Sequence, residues 1–173
     1  MKKIILISII LITLFTSCKK KAYLTDEQKA LLLYDVGDKF TLVKNETDTL
    51  NFTVTSKEID YDQHYNGLWN SGTYYEHGNV KYYTNETESY IIVTSHQNEA
   101  NGQSYSHGFL IDTYAMVFGK YEKIPDYTLN NTVYKNCYLL IDKYDYDSMY
   151  VSTDIGILYV KSHNGDEFKL LQK

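Results

Sequence analysis

Five histidines, one internal cysteine and two short acidic runs are the residues of this chain whose types could do chemistry. The histidines are His64, His77, His96, His107 and His163. No two stand at the close spacing that puts a metal pair on one helix or strand. His77 and His107 share an echo, YEHG and YSHG, so folding could bring two imidazoles to equivalent strand ends, with Glu76 or His96 completing a zinc set. Solvent-exposed turn histidines are the plainer reading. DKYDYDS gathers Asp142, Asp145 and Asp147, and EIDYDQ adds Asp60 and Asp62, but neither follows the DxDxDG order of a calcium loop, so both read as solvated loops. Cys137 alternates in phase with Val133, Leu139 and Ile141, which predicts a thiol facing the core rather than a nucleophile. GxSxG is absent, and nothing in the spacing of the acids selects a pair for glycoside hydrolysis. No catalytic residue, metal or cofactor is therefore assigned.

Tyrosine is the residue type that supports a binding hypothesis. Tyr61, Tyr65, Trp69, Tyr74 and Tyr75, with Tyr82 and Tyr83 beyond, crowd one stretch that also holds Asn66, Asn70 and Asn79. Flat amphipathic rings beside amides and carboxylates can stack on sugar rings or anchor a protein partner. The competing expectation is that alternate tyrosines cover a thin β core while their hydroxyls reach water.

The other cysteine, Cys18, stands between an apolar run and three lysines. Lys2 and Lys3 precede Ile4 to Phe15, interrupted only by Ser8 and Thr13, and the small pair Thr16 and Ser17 follows. That charged, apolar and small-residue order is that of a secretory signal over residues 1–17. At helical rise the apolar run covers roughly 18 Å, short of the roughly 30 Å hydrocarbon core of a bilayer. Phe15, Thr16, Ser17 and Cys18 resemble the lipobox of bacterial lipoproteins, with Phe15 where leucine is usual. The resemblance implies a thiol that carries lipid, cleavage just before it, and a tether over residues 18–24. Lys19, Lys20 and Lys21 would lie at the headgroups. In lipoproteins of the Bacteroidota type, surface export resembles an acidic signal after the cysteine; a basic one implies a periplasm-facing protein on the outer membrane.

Composition removes several partners. The formal net charge of the chain is −5, and every cation among its 17 Lys and Arg residues is lysine. Without the guanidinium fork, and without a glycine-rich phosphate loop, nucleic acid and nucleotide are disfavoured partners. With Cys18 committed to lipid, a disulfide within one chain is excluded.

The elements that must position these residues are mostly strands of one domain over residues 25–173. Thr25 and Gln28 form a capping-box pattern before KALLLY, which predicts one short helix over about 26–34 ended by Gly37. From there the period is two. In LNFTVTS, Leu50, Phe52 and Val54 share one face, and KFTLVK pairs with that strand across NETD. NVKYYT, ESYIIVTS, SYSHGFLID, AMVFGKYE, VYKNCYLLID and SMYVST are further strands, and DIGILYVKS and EFKLL flank a turn at Asn164-Gly165. Pro125 falls between strand candidates. This is an all-β pattern, an antiparallel sheet curled into a barrel or sandwich.

NNTVYKNCYLLID followed by SMYVSTDIGILYVKSHNGDEFKLL resembles the closing strands of small, largely uncharacterised Bacteroidota-type lipoproteins, where a YxNC or YxNV strand precedes a GIG or GVG strand and a final hairpin. It implies architecture and no catalytic residue. Asp48-Thr49-Leu50 and Asp147-Ser148-Met149 resemble the three-residue O-glycosylation site of envelope proteins from such bacteria, which would modify Thr49 and Ser148. The functional expectation is a lipid-anchored envelope protein, a non-enzymatic binding or structural component for a glycan or envelope protein. The alternatives are an envelope hydrolase with a carboxylate or histidine site in a sheet cleft, and a carrier of an apolar ligand inside the sheet.

Overall fold

The structure, a computed structural model, describes residues 21–64, 73–84, 88–98, 102–111, 114–142 and 147–172. Among these residues, eleven strands form one large sheet, with a single short helix α1 at Asp26–Ala30. The strands are β1 (Lys21–Ala22), β2 (Lys39–Lys44), β3 (Asp48–His64), β4 (Thr73–Tyr83), β5 (Glu88–Asn98), β6 (Gly102–Ile111), β7 (Tyr114–Leu129), β8 (Thr132–Asp142), β9 (Ser148–Ser152), β10 (Gly156–Lys161) and β11 (Glu167–Gln172). Their order is β1-β4-β3-β2-β11-β10-β9-β8-β7-β6-β5, with an additional β4–β5 ladder. Pairing is antiparallel except for β1, which lies parallel to β4. The antiparallel all-β expectation holds at this level. The molecule is one sheet rather than two stacked ones, and not a closed barrel of uniform ladders, because two long strands change partners part-way along. β3 pairs with β2 up to Thr53 and with β4 from there on, across a register shift between Val54 and Ser56. β7 pairs with β6 up to Phe118 and with β8 from there on, across a shift between Phe118 and Lys120.

Asparagine supplies the turns. Asn45 and Glu46 both have positive φ, as do Asn130 and Asn131, the backbone that a two-residue hairpin turn needs to match strand twist. The final hairpin differs from expectation: only Gly165 takes positive φ, and its loop spans residues 162–166 with Ser162 N donating to Asp166 O. Pro125 lies inside β7 rather than between strands. It falls opposite Asn136, between the pairs Ile124–Cys137 and Asp126–Lys135, where Asn136 has a φ of 52°. A proline is tolerated at such a break because no ladder bond is required of its nitrogen.

The same break corrects the phase of β8. Cys137 is fully buried as expected, but Val133 is exposed and Leu139 and Ile141 are half-buried, whereas Tyr138 and Leu140 are buried. The left-handed backbone at Asn136 interrupts the alternation, so Cys137 and Tyr138 are buried in succession. In β3, Phe52 and Val54 are buried and Leu50 packs against the core, as their period predicts.

α1 is shorter than its sequence pattern. The capping box forms, with Gln28 N donating to Thr25 Oγ1 and Thr25 N to Gln28 Oε1, but the helix ends at Ala30. Leu31, Leu32, Leu33 and Tyr34 are all buried. Four consecutive buried residues cannot lie on one stripe of a helix packed against a sheet. They leave the helix and enter the core separately. Gly37 therefore caps no helix; its N–H donates to Val54 O at the break in β3. Tyr34 stacks on Phe40 with ring centroids 4.3 Å apart, Phe40 on Phe52 at 4.8 Å, and Tyr82 meets both rings edge-on. The Tyr34 hydroxyl accepts from Ile157 N at 2.8 Å, and burial pushes it well above the usual phenol range.

Gly156 sits beneath that ring with a φ of 112°, and a Cβ there would come within 2.5 Å of the Tyr34 ring. Gly156→Ala is expected to destabilise by roughly 3 kcal/mol, combining left-handed strain with overpacking, as read from denaturant unfolding. A loss below about 1 kcal/mol would mean that the ring moves aside at little cost.

Candidate functional site

The described side chains with chemical potential gather where the N-terminal segment crosses β3 and β4. Glu76 lies in β4 opposite Tyr61 of β3. It is 4% exposed, and its Oε2 accepts from Leu24 N at 2.7 Å. Oε1 is 3.1 Å from Lys29 Nζ and accepts from the Tyr61 hydroxyl at 3.4 Å. A buried carboxylate is stable here because a cation and hydrogen-bond donors meet it. Such a set holds a chain segment in place. Two positions further along β4, Gly78 is bare because Leu32 occupies the space its Cβ would need. Asp35 then pairs with Lys57 Nζ at 2.8 Å. Glu76, Gly78 and Lys57 thus form a track along which residues 22–35 lie, and sequence reasoning missed it. The missing signal was tertiary: Glu76 and Leu24 are 52 positions apart.

The proposed aromatic site is divided by this geometry. Tyr65 and Trp69 lie outside the described residues. Tyr61 shares a row with Glu76, and Tyr75 lies one position along, opposite Asp62 and level with Ala22, where it is buried. Tyr74 is half-buried, opposite Gln63 and level with Lys21. Tyr82 belongs to the core. Elsewhere the tyrosines pack on one another: Tyr127 stacks on Tyr150 at 4.2 Å, and Tyr150 meets Tyr159 at 6.1 Å. Among the tyrosines whose side chains are described, which leaves out Tyr105 and Tyr114, the exposed ones are Tyr23, Tyr61 and Tyr83. The expectation that tyrosines cover a β core is thus met by most of those described.

The histidines do not converge in the ladders. His77 is level with Thr94 and Ser106, whereas His107 is level with Val93 and Gly78, one row away. His163 instead meets Asp147, its Nδ1 3.1 Å from Oδ1, and the same oxygen accepts from His163 N. Asp147 and Asp142 are buried rather than solvated, and Asp147 N donates to Asp142 Oδ1. These bonds tie the strand ends Asp142 and Asp147 together; Asp145 lies outside the described residues. No group of three or more His, Cys, Asp or Glu side chains suited to a metal ion occurs among the described residues. Burial pushes the Cys137 thiol up, away from the reactive thiolate. Thr49 is exposed on β3, and Ser148 is half-buried between β8 and β10.

The helix is held by a second carboxylate. Tyr138 and Tyr121 donate their hydroxyls to Glu27 at 2.9 and 3.2 Å. Comparison with protein-family models, with curated proteins and with solved structures found no match for this chain.

Two outcomes follow from these contacts. Glu76→Ala leaves the buried Leu24 N–H without its acceptor and is expected to cost about 2 kcal/mol, with faster hydrogen exchange at that amide. An unchanged exchange rate would mean that another acceptor takes its place. Burial and the bond to Glu27 push the Tyr138 hydroxyl up to about 12 from its usual value near 10. Because the folded state favours the neutral phenol, its stabilising contribution is complete below about pH 10 and is lost as pH rises through about 12. Ultraviolet titration of phenolate absorbance is expected to show ionisation at lower pH in Glu27→Gln; coincident curves would remove Glu27 as the cause.

Proposed function

We propose that this chain is a lipid-anchored protein of the bacterial outer membrane, periplasm-facing, held through Cys18, with a β body that acts as a binding or structural component. The observation that carries this reading is the seating of the segment just after Cys18. Lys21 and Ala22 add a strand to β4, Ala22 and Leu24 are buried, and Glu76 takes the Leu24 amide. Only Lys19 and Lys20 separate the thiol from that strand. A segment so placed transmits an anchor directly to the folded body. The signal order and the lipobox resemblance supply the chemistry of the anchor. The closing-strand resemblance supports the same class, since Asn136 and Gly156 in its two motifs both take left-handed backbone.

The body is one continuous sheet, with β11 laddered to β2 and β4 to β5. The aromatic stack in its core favours surface recognition of a glycan or envelope protein over carriage of an apolar ligand. The Glu76 carboxylate, engaged by Lys29 and by the Leu24 amide, likewise favours holding over hydrolysis.

The test compares the full chain with Cys18→Ala by membrane fractionation and intact mass of the mature protein. The expected wild-type product begins at Cys18, carries lipid mass and stays with the outer membrane, while Cys18→Ala is released. Unlipidated soluble wild-type protein would overturn the reading. Sugar increments on the same spectrum, lost in Thr49→Ala, would place a glycan on the exposed triplet; their absence removes that modification.

A further inference from the structure

We infer that Lys21, Tyr23, Ile59 and Tyr61 form a membrane-docking patch that lays the β3–β4 end of the body against the headgroups of the anchoring bilayer. This rests on the lipid-anchor reading and adds to it an orientation and a second contact. Tyr23 and Tyr61 meet edge to face with centroids 6.1 Å apart, and Lys21 Nζ lies 5.6 Å from the Tyr61 ring centre. Ile59 stands two positions from Tyr61 on the same face of β3. The three apolar side chains are 49%, 46% and 41% exposed for Tyr23, Ile59 and Tyr61 respectively. An aliphatic chain, two amphipathic rings and a lysine together are the composition that partitions to a bilayer interface, the rings at headgroup level and the cation toward phosphate.

The direction of the chain selects the occupant. β1 runs parallel to β4, so the chain enters β1 at the Thr73 end of β4, beside this patch. Cys18 is three residues upstream, a reach of at most roughly 11 Å even when fully extended. A lipidated thiol would therefore bring the bilayer surface to the patch. Charge agrees. Lys19, Lys20 and Lys21 are consecutive, and the Glu76 carboxylate is buried beneath the patch against Lys29, where it does not oppose an anionic surface. Glu58 and Asp60 alternate with Ile59 and Tyr61 and so belong to the other face of β3. The whole chain is acidic, so this local lysine cluster, not net charge, provides the attraction.

The experiment uses the full chain isolated from membranes and reconstituted in vesicles of phosphatidylethanolamine and phosphatidylglycerol. Ile59→Cys and Val133→Cys each carry a nitroxide label; Val133 is 57% exposed on the β7–β8 hairpin, and Cys137 is buried. At position 59, collisions with a water-soluble nickel complex are expected to fall several-fold and collisions with oxygen to rise, with position 133 fully accessible to nickel. Lipid mass at Cys18 with equal nickel access at both positions would overturn the patch and leave the anchor standing. Absence of lipid mass would overturn both. Shielding at position 59 accompanied by spin–spin broadening that disappears on dilution with unlabelled chain would assign the patch to a second copy and overturn the membrane assignment.

Discussion

Tyr34 is the contact on which the rest of the body depends. Its ring closes a stack with Phe40 and Phe52, and its hydroxyl takes the amide of Ile157 from the other end of the chain. One side chain thereby fastens the N-terminal segment, β2, β3 and β10. Aromatic pairs of this kind contribute roughly 0.5–1.5 kcal/mol each beyond their buried area. The larger consequence is geometric. With Tyr34 fixed, residues 22–33 have one path back across β4, and Gly78 and Glu76 are shaped for that path.

The strands were legible because their period is local. Phe52 and Val54 alternate with Asn51 and Thr53 whatever the sheet does elsewhere, and the asparagine turns state their own backbone. The capping box at Thr25 was equally readable. What was not legible arose where tertiary packing overrode a local rule. KALLLY reads as helix by propensity, yet it unwinds after Ala30 because four apolar residues each find a separate place in the core. Pro125 reads as a strand break, yet its break is supplied by Asn136 across the ladder. Of the aromatic site, Tyr61 stands where a partner could meet it, while Tyr75 is buried, a division set by strand register that composition does not reveal.

Two carboxylates, Glu76 buried and Glu27 exposed, show why a carboxylate among tyrosine hydroxyls need not mean catalysis. Glu76 and Glu27 sit among tyrosine hydroxyls, an arrangement that in a cleft would suggest acid–base chemistry. Here each faces an element that must be held: Glu76 the segment at Leu24, Glu27 the sheet from its place on the helix. Their strength as acceptors fits them for fastening one segment of the chain to another.

The bond from Ile157 to Tyr34 spans 123 positions. A contact of that separation forms only after a long stretch of chain has been brought together, which makes folding of such topologies slow. During synthesis the N-terminal segment exists well before β10, yet its seat beneath Tyr34 is built from Gly156 and Ile157. Emergence and completion are opposed: residues near the start of the chain wait for residues near its end. Until those arrive, Tyr34 lacks the amide it accepts from, and the N-terminal segment cannot take its final place.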